Sequence, residues 1–350
     1  MDQYPGKRMK SVKNLATRTV YTELYQADCN DWLKQREPSS IHAVITDPPY
    51  GMLEYSEEHL EKLRAGKGGV WRIPPEIGGS KRQPLPRFTV LTRFHTKQMS
   101  EFFEEWGRLL LRVLVPGAHV FAASSPLLSH IVSHAMVEAG FEKRGEIVRL
   151  VRTLRGGDRP KGAEKEFTQL SSMPRSCWEP WPIFRKPFDG TLAHNLRQYG
   201  TGALRRPRSD VPFTDVIYSS RTPRDQKRIA PHPSLKPQAF LRELTAAALP
   251  LGKGIVLDPF AGSGSTLAAC QALGYDSIGI EADAKYVEMA FAAIPKLATL
   301  ALESNGRADW TSADGLRRQD PGKPGSPQAF QSRICESKPL SYDVRLRLVR

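Results

Sequence analysis

The chain has 350 residues, 40% of them apolar, and a formal net charge of +14 from 51 Lys and Arg against 37 Asp and Glu. That length suits one large domain, or one domain with an insertion, and the apolar share is enough for a packed core. No apolar run is long enough to span a bilayer, and the opening stretch MDQYPGKRMKSVKN lacks the apolar segment of a signal peptide. The four cysteines (Cys29, Cys177, Cys270, Cys335) are far apart with no Cys-x-x-Cys pair. They argue against a metal site and a disulfide framework, and fit a reducing cytoplasm. An excess of basic groups this large points to a polyanionic partner, because Lys and Arg displace counterions from phosphates.

Along the chain, Ile41–Thr46 is a short apolar run rich in β-branched residues and predicts a buried strand. Residues 51–97 are rich in Gly, Pro and basic residues and read as a long loop with a short helix near 57–64; a loop of that length beside a strand end is usually functional. Phe102, Phe103, Trp106, Leu109, Leu110 and Val113 recur at helical spacing, so a helix is expected over 98–114. Pro116-Gly117 stops it, and a strand comes next at 119–123. A helix over 126–139 ends at Gly140, and a strand occupies 146–151. The pattern breaks over 153–231, where Pro, Gly and Arg accumulate among aromatics. It resumes with a helix at 237–249, a strand at 254–257, a helix at 265–273, a strand at 277–280 and a helix at 283–294. Such alternation predicts right-handed crossovers and a mainly parallel sheet. Residues 300–350 are polar and rich in Pro and Gly, and 342–349 alternate like an exposed strand.

Two of these strands stop in chemically pointed turns. The first ends in Asp47-Pro48-Pro49-Tyr50, the second in Asp258-Pro259-Phe260-Ala261-Gly262-Ser263-Gly264. A strand that feeds a helix through Gly-x-Gly lets the backbone approach a ligand closely, although Gly-x-Gly alone also serves ordinary tight turns. Glu281 ends the next strand, seventeen residues after Gly264. An acid there can accept hydrogen bonds from both hydroxyls of a ribose, as in nucleotide-binding α/β folds.

Together with His232-Pro233-Ser234-Leu235-Lys236-Pro237 between them, these turns resemble the motifs of the amino-directed DNA methyltransferases. The order, with the Asp-Pro-Pro-Tyr turn first and the glycine turn last, resembles the beta class of that family. The resemblance implies an α/β Rossmann-like fold with a mainly parallel twisted sheet, circularly permuted and carrying an inserted target-recognition region. It implies S-adenosylmethionine as methyl donor. Asp258, Phe260, Gly262 and Gly264 would line its methionine end, Glu281 its ribose, and His232, Ser234 and Lys236 would help bind its carboxylate. Asp28 resembles the acid that contacts the adenine ring of the cofactor, though an Asp at a helix N-cap explains it equally well.

The resemblance makes Asp47, Pro48, Pro49 and Tyr50 catalytic. A base amino nitrogen is a poor nucleophile because its lone pair is delocalised into the ring. Acceptors on both amino hydrogens, the Asp47 carboxylate and the Pro48 carbonyl, would push the nitrogen toward sp³ for in-line attack. Two consecutive prolines supply no N–H and stiffen the turn. Tyr50 offers a flat face to an extruded base, worth roughly 1–3 kcal/mol and comparable with the cost of flipping. Family members with Asp in the first position are mostly adenine-N6 enzymes and those with Ser mostly cytosine-N4 enzymes, so Asp47 favours adenine, with cytosine-N4 second. No Pro-Cys dipeptide occurs, which removes the thiolate nucleophile of cytosine-C5 enzymes. A silent DNA-binding regulator of this fold is the reading from another class, and the retention of both turns argues against it.

The implied domain division has a catalytic half at 20–152, a recognition region at 153–231, a cofactor half at 232–299 and a tail without assigned role at 300–350. The recognition region is rich in arginine, and Arg197, Arg205, Arg206, Arg208, Arg221 and Arg224 are its candidate contacts to double-stranded DNA, on phosphates or guanine edges. The resemblance leaves open a homodimer and a companion restriction enzyme; no sequence feature marks an interface.

Overall fold

The computed structural model describes residues 18–49, 76–77, 80–81, 93–151, 157, 159–160, 162–232, 234–302 and 343–349. Tyr50, Pro233, the helix expected near 57–64 and most of the 51–97 loop lie outside the described residues. In chain order, β1 (Thr19–Gln26), α1 (Cys29–Gln35) and β2 (Ile41–Thr46) come first, followed by the short antiparallel pair β3 (Glu76–Ile77) and β4 (Ser80–Lys81). Next are α2 (Arg93–Val113), β5 (Leu114–Ala122), α3 (Ser129–Glu138) and β6 (Glu142–Leu150). Then come β7 (Trp178–Arg185), α4 (Leu192–Tyr199), β8 (Val216–Tyr218) and α5 (Arg224–Ile229). The last group is α6 (Gln238–Ala248), β9 (Ile255–Asp258), α7 (Ser265–Leu273), β10 (Asp276–Glu281), α8 (Ala284–Ala298) and β11 (Asp343–Val349).

Nine strands form one sheet in the order β11-β1-β10-β9-β2-β5-β7-β6-β8. From β11 to β5 every neighbouring pair is parallel. β7 runs antiparallel to both β5 and β6, and β8 lies parallel to β6. Within this sheet β7 alone is reversed, and the other strands open their carboxyl ends on one edge. β2 is buried on both faces, as a β-branched strand in the middle of a parallel sheet must be.

Helices cover both faces. Leu33 of α1, Phe103, Trp106 and Leu110 of α2, and Val132 and Met136 of α3 share one core. The apolar stripe of α2 (Met99, Phe103, Trp106, Leu110, Val113) keeps the three- and four-residue spacing that presents one helix face inward. Phe240 and Leu244 of α6 lie in a second core. Leu267 and Ala268 of α7 pack with Ala290 and Ile294 of α8 in a third. After β2 the chain therefore crosses to one face, and after the adjacent β9 to the other. Neighbouring strands whose helices leave on opposite faces open a crevice at their carboxyl ends.

One expectation changes and two segments find their place. Pro116-Gly117 does not separate helix from strand: β5 begins at Leu114 and runs through both, with a register irregularity against β2 between Ile41 and Ala43. Gly117 takes φ +79°, and a Cβ there would stand 2.4 Å from Asn195 Nδ2. A proline and a glycine at a bulge fit the strand where a regular ladder would reject them. Within 153–231, β7 and β8 belong to the main sheet. Pro180 and Pro182 hide β7 in the sequence. Pro180 accepts from the Ser124 N–H on the β5 side, past the last paired residues Phe121 and Ile183, so the missing proline N–H groups interrupt no ladder bond. Finally, the alternating segment near the end of the tail is β11, paired in parallel with β1.

β2 and β9 meet in the register Ala43 to Val256 and Val44 to Leu257. Just beyond, Thr46 Oγ1 donates to Asp258 Oδ1 at 2.7 Å, and the Phe260 N–H donates to the same oxygen at 3.2 Å. Burial pushes the Asp258 carboxyl up to about 6, against the pull of its Thr46 and Thr266 hydrogen bonds. An acid whose folded pKa exceeds its unfolded value favours the fold most below about 3.9 and loses that contribution as pH rises toward 6. Above that, the buried carboxylate costs about 3 kcal/mol. Asparagine keeps a carbonyl oxygen for Thr46 and Phe260 and carries no charge. Asp258→Asn is expected to raise Tm by about 2–5 °C at pH 8 and by much less at pH 4.5. Calorimetry at the two pH values checks this; an equal loss of stability at both would show that hydrogen bonding outweighs charge at this position.

Candidate active site

The crevice holds a cavity of about 280 Å³. Its walls come from five segments: Asp47, Pro48 and Pro49 after β2, Asp258 and Phe260 to Ser263 at the end of β9, Glu281 and Tyr286 at and after the end of β10, His232, Ser234 and Lys236 ahead of α6, and Trp181 on β7. Strand termination brings the first three together, because β10, β9 and β2 are consecutive in the sheet.

The glycine turn is pinned to the end of β10. The Gly262 N–H donates to Glu281 Oε2 at 2.9 Å, and the Asp283 N–H donates to Glu281 Oε1 at 2.9 Å. Each carboxylate oxygen thus takes one backbone donor, and a carboxylate oxygen has two lone pairs. Burial raises the Glu281 pKa, and the Asp283, Gly262 and Ala282 amides work against it. Gly262 has φ +51°, and a Cβ on it would lie 3.3 Å from the His232 ring. The His232 ring meets Tyr286 edge-on with centroids 4.5 Å apart. Its Nδ1 accepts from the Ser234 N–H at 3.2 Å, and burial lowers its pKa, which favours a neutral ring protonated at Nε2. The Phe260 ring tilts against Trp106 and Phe102, anchoring the turn on the α2 core.

Two residues expected at the cofactor do not line the cavity. Gly264 caps α7 at φ +75°, and a Cβ there would stand 2.6 Å from Ile294 Cγ1 and 3.2 Å from Ala290 Cβ. It is glycine so that α7 can dock on α8. Asp28 caps α1, its side chain accepting from the Asn30 and Asp31 N–H groups at 2.9 and 3.1 Å. It lies next to the end of β10, where the Ala27 N–H donates to the Glu281 carbonyl at 3.1 Å.

A buried chain of alternating charge runs into the cavity. Lys236 Nζ is 2.6 Å from Asp47 Oδ2 and 3.1 Å from Glu179 Oε1. Arg149 Nη1 is 2.8 Å from Glu179 Oε2, which also accepts from Trp181 Nε1 at 3.0 Å. Burial alone would raise the Glu179 carboxyl, but Lys236 and Arg149 hold it well below the usual carboxylate range. Burial alone would lower the Lys236 ammonium, but Asp47 and Glu179 keep it above its ordinary value. The ammonium expected at the cofactor's carboxylate is therefore seated between two carboxylates of the protein itself. Removing one partner from such a buried pair costs roughly 3–5 kcal/mol, because the remaining charge is left uncompensated. Among the described residues, no three His, Cys, Asp or Glu side chains group to hold a metal, and no helix is long and apolar enough to cross a membrane.

Sequence reasoning missed Arg149, Glu179 and Tyr286. Tyr286 lies in the first turn of the helix after Glu281, a position that points back at the strand end. Glu179 stands among Trp178, Pro180, Trp181 and Pro182, and an acid in so apolar a strand calls for a cation. The six arginines proposed for nucleic-acid contact divide. The reversed β7 delivers the chain to the edge opposite the cavity. There α4, which carries Arg197, is held by Asn195 to the Pro116 carbonyl at 3.1 Å, and Arg205 donates to Tyr275 Oη at 3.1 Å just ahead of β10. Arg206 and Arg208 come next, Arg208 paired with Asp210 at 2.9 Å. These four do not share the cavity's edge. Arg221 and Arg224 come after β8 and lie on the cavity side, where Thr222 bonds to the Leu235 carbonyl.

The chain is similar to known proteins. A family model described as DNA methylase, for N6 and N4 enzymes, matches residues 41–292. The chain is 27% identical over 284 residues to the Type II methyltransferase M.HindIII of Haemophilus influenzae, covering 74% of this chain and 90% of that protein. It is 24% identical over 280 residues to the Type II methyltransferase M2.DpnII of Streptococcus pneumoniae, covering 79% and 92%. Among solved structures, the cytosine-N4-specific PvuII DNA methyltransferase shares the fold, with a TM-score of 0.52 and 13% identity over 96% of this chain and 98% of that one. The family match begins at β2, takes in both turns that close the crevice, and ends inside α8, and on that ground the chain belongs to the N6/N4 DNA methylase family.

Proposed function

We propose that this DNA methyltransferase transfers a methyl group from S-adenosylmethionine to the N6 amino group of adenine in double-stranded DNA. One observation carries the reading: the Asp47 carboxylate and the Gly262–Glu281 pair open into the same cavity. The residues fit the cofactor. Glu281 has lone pairs to offer a ribose after serving two backbone amides, Gly262 leaves room that a Cβ would fill, and His232 with Tyr286 supplies an aromatic wall. S-adenosylmethionine supplies a methyl group on a sulfonium, a good leaving group for in-line attack.

The chain's own residues do the rest. Asp47 and the Pro48 carbonyl accept hydrogen bonds from the two amino hydrogens of the base and localise the nitrogen lone pair; as the S–CH3 bond breaks and the N–CH3 bond forms, the nitrogen sheds one of these protons through the Asp47 carboxylate to water. Pro48 and Pro49 hold that carbonyl in place. Tyr50 stacks on the extruded base. Lys236 compensates the Asp47 charge within the cavity. Aspartate rather than serine at the head of the turn favours adenine over cytosine-N4. Arg221 and Arg224, after β8 on the cavity side, are the arginines that would meet a duplex whose base enters there.

Asp47→Ala is expected to lower methyl transfer by roughly 10²–10⁴-fold while cofactor affinity, measured by titration calorimetry, stays within about threefold; unchanged transfer would refute the acceptor role. The two glycines separate by direction. Gly262→Val crowds the cavity and should weaken cofactor binding by about tenfold or more, on the order of 1.4 kcal/mol. Gly264→Ala strikes the α8 core instead and should lower Tm by several degrees. Swapped outcomes in calorimetry and melting would move the cofactor to the other side of the turn. Single-molecule sequencing of DNA from cells expressing the intact protein or Asp47→Ala should reveal a methylated-adenine motif with the intact protein alone. Methylated cytosine in its place would make the enzyme N4-specific.

A further inference from the structure

We propose that Glu179 is a positioning residue for the base-accepting carboxylate, acting through Lys236. The inference rests on the reading that Asp47 accepts the base amino hydrogens. Asp47 lies just past the end of β2, and its carboxylate draws on a fixture from outside that strand. Lys236 Nζ provides one at 2.6 Å from Oδ2. A lysine on a four-carbon stem is itself a loose clamp, with about 2 kcal/mol of rotamer entropy to lose. Glu179 Oε1, 3.1 Å from the same ammonium, restrains it.

The restraint reaches back into the sheet. Glu179 on β7 and Arg149 on β6 are direct cross-strand partners, and their side chains meet at 2.8 Å. Trp181 Nε1, two residues along β7, donates to the same carboxylate oxygen at 3.0 Å. The guanidinium is braced in turn by Ser219, whose Oγ accepts from Arg149 Nε at 3.0 Å. A rigid strand pair thus hands its geometry to an ammonium, and the ammonium hands it to the reacting carboxylate. Glu179 never touches substrate in this scheme; it fixes where Lys236 stands, and so the plane in which Asp47 presents its oxygens. Simple neutralisation of Arg149 would need only the Oε2 contacts. The second oxygen, turned to Lys236, serves the cavity.

The test is a double-mutant cycle on the full chain. The readout is single-turnover transfer of labelled methyl from S-adenosylmethionine to duplex DNA bearing the methylated motif, at saturating cofactor and DNA. Rates are normalised to cofactor sites counted by calorimetry, so that loss of folded protein does not register. Glu179→Gln is expected to lower the rate roughly 10–100-fold, the scale for a displacement of about 1 Å at a reacting group. KM for DNA and Kd for cofactor should move less than about threefold. In a Lys236→Met background the same substitution should change the rate by less than about twofold, because its route of action is gone. Should Glu179→Gln fail to fold, Glu179→Asp keeps the charge and withdraws the carboxylate by one methylene. It should then show the same selective fall in rate with cofactor binding intact. A wild-type rate in the Glu179 variants, or equal losses with and without Lys236, overturns the inference. If Asp47→Ala is inactive while the Glu179 variants are not, this inference alone fails. A wild-type protein that binds cofactor yet methylates no DNA overturns the proposed function as well.

Discussion

The adjacency of β2 and β9 is the constraint on which everything else depends. The Thr46 hydroxyl and the Asp258 carboxylate, 2.7 Å apart, join two strand ends that are 212 residues apart in the chain. Were another strand between them, the Asp47 turn and the glycine turn would open into different grooves. Because α2 and α7 leave on opposite faces, the space above these two strands stays empty of helix. The site is a consequence of that divergence, and the side chains decorate a gap the topology has already made.

The order of the two halves along the chain accordingly has little bearing on the chemistry. Sheet pairing, not connectivity, sets the distance between the carboxylate that meets the base and the turn that meets the cofactor. The intervening chain is used to close the sheet with β5, β7, β6 and β8 and to supply the buried charges behind Asp47. Four elements that never touch in sequence, β6, β7, the segment before α6 and the turn after β2, are joined by one alternating row of cations and anions.

Much of this is legible in the sequence, and the exceptions have physical causes. β2, β9, β10 and α7 are visible because a β-branched run, a turn and a helical stripe each leave a local signature. β1 is harder to see, because its inward positions include Thr22, which is buried yet polar and pairs with Ser277. β7 is hidden by its two prolines, which are tolerated only because β5 ends beside them. At the site, Asp47, Gly262, His232 and Glu281 can be named because strand ends are where such folds put function. Arg149 and Glu179 cannot, since their meeting depends on antiparallel register between segments thirty residues apart. The two glycines show the same limit: both need positive φ, but which one faces the ligand and which the core is a matter of direction that spacing does not encode. Four of the six candidate arginines stand on the edge opposite the cavity for a topological reason, because a single reversed strand carries the chain there.

β11 shows a separate economy. Without it, β1 would present a full row of unpaired N–H and C=O groups, the kind of edge onto which a strand of another molecule can add. β11 pairs along the row from Thr19 to Tyr25 and rests Leu346 and Leu348 on the α8 core. The rim it leaves in turn carries Asp343, Arg345 and Arg347, all exposed. The new border is therefore charged and poorly suited to further growth. A segment far from the cavity thus acts as a selvedge, covering the border of β1 with a strand whose exposed side chains are charged.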